Sequence, residues 1–88
     1  MVKRKILKEH LLKRISDLEK KSWTIAEVES LPTTNEGQLD GCGIQIELSF
    51  LEYLDDKKRA HVCALIDDYG FFTSRFPVSS SFIVDIKG

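Results

Sequence analysis

The first quarter of the chain carries apolar residues at helical spacing. Four of them recur at intervals of four, four and three positions: Leu7, Leu11, Ile15 and Leu18. This spacing puts their side chains on one face of a helix, with charged residues around the rest of the circumference. The pattern predicts an amphipathic helix over residues 3–21.

A second, shorter helix is predicted directly after it. Thr24 is followed three positions later by Glu27, which has the form of a capping box. In this motif each side chain accepts a hydrogen bond from a backbone amide that the first helical turn leaves without a partner. The helix is expected to span residues 24–31, because the residue before Pro32 is disfavoured in helical conformation. Trp23 precedes the cap and is expected to close over the core.

From residue 44 onward, apolar and polar residues alternate, as in a strand with one buried face. Residues 55–58 are charged and indicate a hairpin tip between two antiparallel strands, and residues 82–86 indicate a third strand. The expected buried face comprises Ile44, Ile46, Leu48, Phe50, Val62, Ala64, Ile66, Phe82, Val84 and Ile86. Residues 32–43, rich in turn formers, are expected to be a loop. The predicted fold is therefore α+β: an N-terminal helix and a short second helix packed on a three-stranded antiparallel β-meander.

The other face of this predicted sheet is semi-apolar. Strict alternation places four of its less polar residues there: Leu51, Tyr53, Cys63 and Leu65. One helical layer covers only one side of a sheet, so this reverse face is expected to be exposed to solvent or to bind a partner.

The connection between the second and third strands is unusually aromatic. Half of the eight aromatic residues lie there, namely Tyr69, Phe71, Phe72 and Phe76, together with Arg75. Burial of these rings over the open end of the core is one interpretation. An aromatic and arginine surface of the kind enriched at protein interfaces is the other, and the two are compatible.

Length and composition indicate a single small domain over residues 1–88. A chain of 88 residues with 42% hydrophobic and 31% charged residues is ordinary for a globular protein. The net charge of −1 conceals an asymmetry: residues 1–22 carry eight basic and three acidic side chains (8 − 3 = +5), and the remainder carries five and eleven (5 − 11 = −6). A basic helix is therefore expected to accompany an acidic sheet.

Several classes of protein are not supported by the sequence. No apolar run of membrane-spanning length and no secretory leader is recognisable, so a cytoplasmic location is expected. Cys42 and Cys63 have no metal-ligand spacing and are expected to be free thiols. Gly41 and Gly43 form only a lone GxG, so no cofactor is predicted.

A few residues have side chains suited to chemistry. Asp67 and Asp68 form a carboxylate pair that suits a cation or acid–base catalysis, but Asp-Asp-Tyr-Gly is also a common way to leave a strand. His61 and Cys63 resemble a base and a nucleophile, yet at positions i and i+2 of one strand their Cβ atoms lie about 7 Å apart. For Asp67 and Asp68 the favoured interpretation is a turn, and for His61 and Cys63 it is a non-catalytic position on the surface of the sheet.

The leading functional hypothesis is a non-enzymatic interaction module that binds itself, as a homodimer, or another protein through the sheet's outer face and the 69–76 loop. A nucleic-acid accessory protein using the basic helix is the first alternative. A small ligand-binding domain or enzyme near His61, Asp67 and Asp68 is the second. The sequence identifies no partner or substrate.

Overall fold

The computed structural model describes residues 3–39, 41–69 and 78–87. Two helices precede four strands: α1 (Arg4–Glu19), α2 (Ile25–Glu29), β1 (Thr33–Leu39), β2 (Cys42–Leu54), β3 (Arg59–Asp67) and β4 (Val78–Asp85). The strands form one antiparallel sheet in the order β1-β2-β3-β4. The α+β class is confirmed, and the prediction of three strands is wrong, because the sheet has four.

The missed strand is β1, which lies within the segment 32–43 that was expected to be a loop. β1 pairs with β2 from Thr33↔Leu48 to Leu39↔Cys42. It is an edge strand, and its central residues are exposed. Asn35 and Gly37 occupy positions on the side facing α1, so β1 lacks the apolar alternation that identifies a half-buried strand.

The last strand begins earlier than its apolar pattern suggested. β4 starts at Val78 rather than Phe82, and Val78 pairs with Ile66. Ser80 lies opposite Ala64 on the buried side of the sheet. This serine interrupts the alternation of apolar residues, which explains why the sequence pattern located only the C-terminal half of the strand.

The core lies between α1 and one face of the sheet, which we call the inner face. Helix α1 contributes Leu7, Leu11 and Ile15, and it packs mainly on β3 and β4. The sheet contributes Ile44, Ile46, Leu48, Ala60, Val62, Ala64, Ile66, Val78, Phe82 and Val84, and the segment between them contributes Trp23 and Val28. The expected buried face is therefore confirmed except at Phe50, which is 37% exposed, and at Ile86, which is half-buried.

Trp23 contacts both the helical layer and the end of the sheet. Its side chain is 4% exposed, and its indole Nε1–H donates to the carbonyl oxygen of Leu18 at 3.1 Å. Its backbone forms a short parallel bridge with Ile86, just beyond the end of β4: the Trp23 amide donates to the carbonyl oxygen of Asp85, and the Lys87 amide donates to the carbonyl oxygen of Trp23. The expectation that Trp23 closes over the core is confirmed.

The capping box of α2 is also confirmed. The Thr24 hydroxyl accepts the Glu27 amide, and the Glu27 carboxylate accepts the Thr24 amide. Lys21 lies against the same carboxylate. This ion pair, followed by the hydrogen bond from the Thr24 amide, holds the pKa of Glu27 below its ordinary value.

A β-bulge at Leu51 changes which residues face the core. Phe50 pairs with Val62 and Glu52 with His61, so Leu51 is the extra residue of the bulged strand. Beyond the bulge Tyr53 pairs with the buried Ala60 and packs against the core. The assignment of Tyr53 to the reverse face is therefore wrong, because strict alternation does not continue through a bulge.

Candidate interaction surface

The face of the sheet turned away from α1, which we call the outer face, is open along the whole described sheet. It consists of the residues that alternate with the buried ones and of the bulge residue Leu51: Thr34, Glu36, Gln38, Gly43, Gln45, Glu47, Ser49, Leu51, Glu52, Leu54, Arg59, His61, Cys63, Leu65, Asp67, Ser79, Ser81, Ile83 and Asp85. None of these residues is fully buried. No described helix or strand covers this face.

The outer face is strongly acidic. Five carboxylates are distributed over all four strands: Glu36, Glu47, Glu52, Asp67 and Asp85. Arg59 is the single lysine or arginine on this face within the described strands, and it is ion-paired with Asp55 at the hairpin tip. The carboxylates therefore have little compensating positive charge within the described part of the sheet.

Apolar side chains are interspersed among these carboxylates. Leu51 at the bulge is 49% exposed and Ile83 on β4 is 45% exposed. Cys63 and Leu65 lie between them on β3 and are half-buried. Three of the four reverse-face residues predicted from alternation (Leu51, Cys63 and Leu65) are thus accessible from the outer side.

Tyr69 extends this surface beyond the end of β3. A Cβ atom placed on Gly43 would lie 3.6 Å from the Tyr69 ring, so the ring rests in contact distance over this glycine. The Tyr69 hydroxyl donates to the Glu36 carboxylate at 3.2 Å. Partial desolvation, and then repulsion from the Glu36 charge, raise the pKa of Tyr69. Tyr69 is 53% exposed and contributes an aromatic ring to the acidic face.

The remaining predicted interface residues are placed differently. Tyr53 lies on the inner side with its ring centroid 4.7 Å from that of Phe50, and the Lys57 ammonium lies 5.4 Å from the Tyr53 centroid. The rest of the predicted aromatic surface falls outside the described residues, namely Phe71, Phe72, Arg75 and Phe76.

The residues considered for catalysis are not brought together. His61 and Asp67 lie on the same strand six residues apart, a separation of about 20 Å. Asp67 accepts the backbone amide of Tyr69 at 3.0 Å, as expected for a carboxylate that stabilises a turn. The left-handed residue of this turn is Tyr69, with φ of 64°. Within the described residues, no three or more His, Cys, Asp or Glu side chains are grouped so that they could hold a metal ion.

The basic side chains of α1 lie on the opposite side of the molecule from the acidic face. Lys3, Arg4, Lys5, Lys13 and Arg14 are exposed, whereas Lys8 is half-buried and donates to the carbonyl oxygen of Ser79 at 2.6 Å. Cys42 and Cys63 are free thiols, as predicted. In the part of the chain that the structure describes, no helix is both long and apolar enough to cross a membrane.

The fold and this surface define a small α+β protein whose described residues form two helices, a four-stranded antiparallel meander and an acidic face that no described helix or strand covers. Comparison with known proteins adds no relative: no family model matches the chain, and neither does any curated protein or solved structure.

Proposed function

We propose that the protein is a non-enzymatic interaction module that binds a basic surface of another protein through its outer face. The observation that carries this proposal is the charge of that face. Among the described strand residues, five carboxylates share it with one arginine, and that arginine is already paired. A positive partner surface would be steered towards these carboxylates and would neutralise them on binding.

The same charges argue against a homodimer built on this face. A two-fold interface would place the outer face of one copy against that of the other. Glu47 and Glu52 of one copy would then lie close to carboxylates of the second, and juxtaposed like charges oppose association. A different, basic protein is therefore the preferred partner over a second copy.

The apolar residues supply the other half of the proposed interface. Leu51, Ile83 and Tyr69 are each about half exposed and stand among the carboxylates. Accessible leucine, isoleucine and tyrosine side chains would contribute apolar burial, while the charges would contribute orientation and association rate. Charge alone would give a weak and unspecific contact.

The size of the face sets an expectation for the contact area. Four strands at about 4.8 Å spacing and nine residues at about 3.3 Å each give a flat area of roughly 550 Å². A stable complex typically buries about 800 Å² of accessible surface on each partner, and side chains make the accessible surface of a face larger than its flat area. The outer face is thus close to the size of a standard interface, and we propose that the 69–76 loop enlarges the contact.

Paired charge variants test the proposal. Immobilised wild-type protein would be presented to nuclease-treated cell extract beside Glu47→Lys/Glu52→Lys, and retained proteins would be identified and purified. The outer-face variant is expected to lose the partner, with a dissociation constant raised at least about ten-fold in calorimetry. The matched control Lys5→Glu/Lys13→Glu changes two exposed charges on α1 and is expected to retain it.

The opposite result would contradict the proposal. Loss of the partner in the α1 variant with retention in the outer-face variant would assign binding to the basic helix. Light scattering across dilution addresses self-association: the proposal expects a mass of 10.1 kDa. A dimer that Leu51→Asp dissociates would instead assign the outer face to a second copy.

A further inference from the structure

A groove between α1 and the β1 edge of the sheet lies on the side opposite the outer face. Its volume is about 180 Å³. Its floor is apolar and formed by Ile44 and Ile46 on β2. His10 and Arg14 line it from α1, and residues 35–38 of β1 form the facing wall. Because α1 packs mainly on β3 and β4, the groove runs beside the helix, and its floor consists only of the small accessible parts of Ile44 and Ile46, which are 3% and 8% exposed.

Gly37 in this wall has no structural explanation. Its backbone does not require glycine, because its φ is not in the left-handed region. Packing does not require it either, since a Cβ atom there would meet only Ile44 Cγ1 at an ordinary contact distance of 3.9 Å. Glycine inside a strand is unfavourable and often marks a place where a ligand approaches the backbone.

The polar groups of the groove are suited to an anion. Arg14 and His10 make no hydrogen bond or ion pair within the described residues, so their donors remain available. The Asn35 side chain position faces α1 and adds an amide to the groove wall. Glu36 belongs to the same wall, but its carboxylate is held by the Tyr69 hydroxyl on the outer face. A negative group in the groove would thus meet a guanidinium without a competing carboxylate from Glu36.

We propose that this groove binds a small carboxylate with a flat apolar body. A groove of about 180 Å³ has room for several water molecules, so only a small ligand fits it. The carboxylate would pair with Arg14 in a charge-assisted contact, and the apolar body would lie on Ile44 and Ile46 beside Gly37.

Benzoate is the probe, and backbone amide chemical shifts measured by NMR are the readout. For a ligand of this size a dissociation constant on the order of 1 mM is expected, with saturable shifts centred on residues 35–38 and 44–46. Benzyl alcohol has the same shape without the charge, and inorganic phosphate has charge without the apolar body. Both are expected to bind at least about ten-fold more weakly than benzoate.

Two substitutions and one control separate the groove from general anion binding. Arg14→Gln is expected to raise the dissociation constant of benzoate about ten-fold, whereas Lys13→Gln, which removes the same charge from a neighbouring exposed residue outside the groove, leaves it unchanged. Gly37→Val fills the groove and should abolish binding while raising the melting temperature, because valine favours strands.

Three outcomes would overturn the proposal. One is a set of shifts that does not saturate or that follows the lysines of α1. A second is equal affinity in Arg14→Gln and wild type. The third is benzyl alcohol binding as tightly as benzoate, which would make the groove an apolar cleft without anion selectivity.

Discussion

Replacing Trp23 tests the contact that joins the two layers of the fold. The Trp23→Ala variant removes a side chain that is 4% exposed, and large-to-small changes of this kind cost about 3–5 kcal/mol. It also removes the indole hydrogen bond to Leu18, a further loss of about 1 kcal/mol. The expected total is about 4–6 kcal/mol.

Trp23→Phe is the informative comparison. It keeps most of the buried ring but removes the indole N–H. The Leu18 carbonyl would still accept the backbone amides of Lys20 and Lys21, so it would not be left without a partner. We therefore expect this variant to cost only about 1–2 kcal/mol.

The measurement is urea unfolding followed by far-ultraviolet circular dichroism, because the variants lack the one tryptophan of the chain. At about 0.05–0.15 kcal/mol per residue the whole fold is stable by about 4–13 kcal/mol, so Trp23→Ala should remove at least about a third of this stability. A loss below about 1.5 kcal/mol for Trp23→Ala, or equal losses for the two variants, would refute the assignment of Trp23 as a packing element of the core.

Two further predictions concern hydrogen bonds at the surface. The absorbance of tyrosinate should show that Tyr69 titrates above the ordinary tyrosine pKa of 10.0. Glu36→Gln should lower the pKa of Tyr69 without restoring it fully to the ordinary value, because the desolvation of the ring remains. Since the raised pKa means that the folded state holds this proton more tightly, the stabilisation is complete below about pH 10 and is lost as the pH rises through the folded-state pKa. Thr24→Ala should destabilise the protein by about 1 kcal/mol in urea unfolding, whereas the exposed Ser22→Ala should have little effect. Because the pKa of Glu27 is lowered in the fold, its contribution to the same cap is present at neutral pH and is lost as the pH falls through that lowered value.

Sequence patterns predicted the elements whose burial is one-sided and regular. Helix α1, strand β3 and the first half of β2 each present an unbroken apolar face, and their positions were correct to within two residues. The capping box located α2 because Thr24 and Glu27 are both required for its mutual hydrogen bonds.

The errors arose where tertiary context replaces the local pattern. Strand β1 is held by backbone pairing to β2 rather than by burial of its own side chains, so its composition resembles a loop. The bulge at Leu51 depends on pairing with β3, and no residue type in the local sequence predicts it. The position of Tyr53 could therefore not be derived from alternation alone.

The candidate surface was only partly predictable for a related reason. An excess of acidic residues after residue 22 is visible in the sequence, but their concentration on one face depends on the register of four strands. Asp85 and Ile83 join Glu52 and His61 only because β4 lies beside β3. The groove below α1 could not be foreseen, because one of its walls is the strand that was expected to be a loop.

The bulge at Leu51 has a consequence for how this hairpin tolerates changes in chain length. Because Leu51 is the residue in excess, a chain shortened by this one position would still direct Glu52 outward and Tyr53 inward. Removing a residue from the regular part of β2 would instead move every side chain between the deletion and the next irregularity to the opposite face of the sheet. Leu51 is thus the position of β2 at which one residue can be lost without exchanging the inward-facing and outward-facing side chains of the strand.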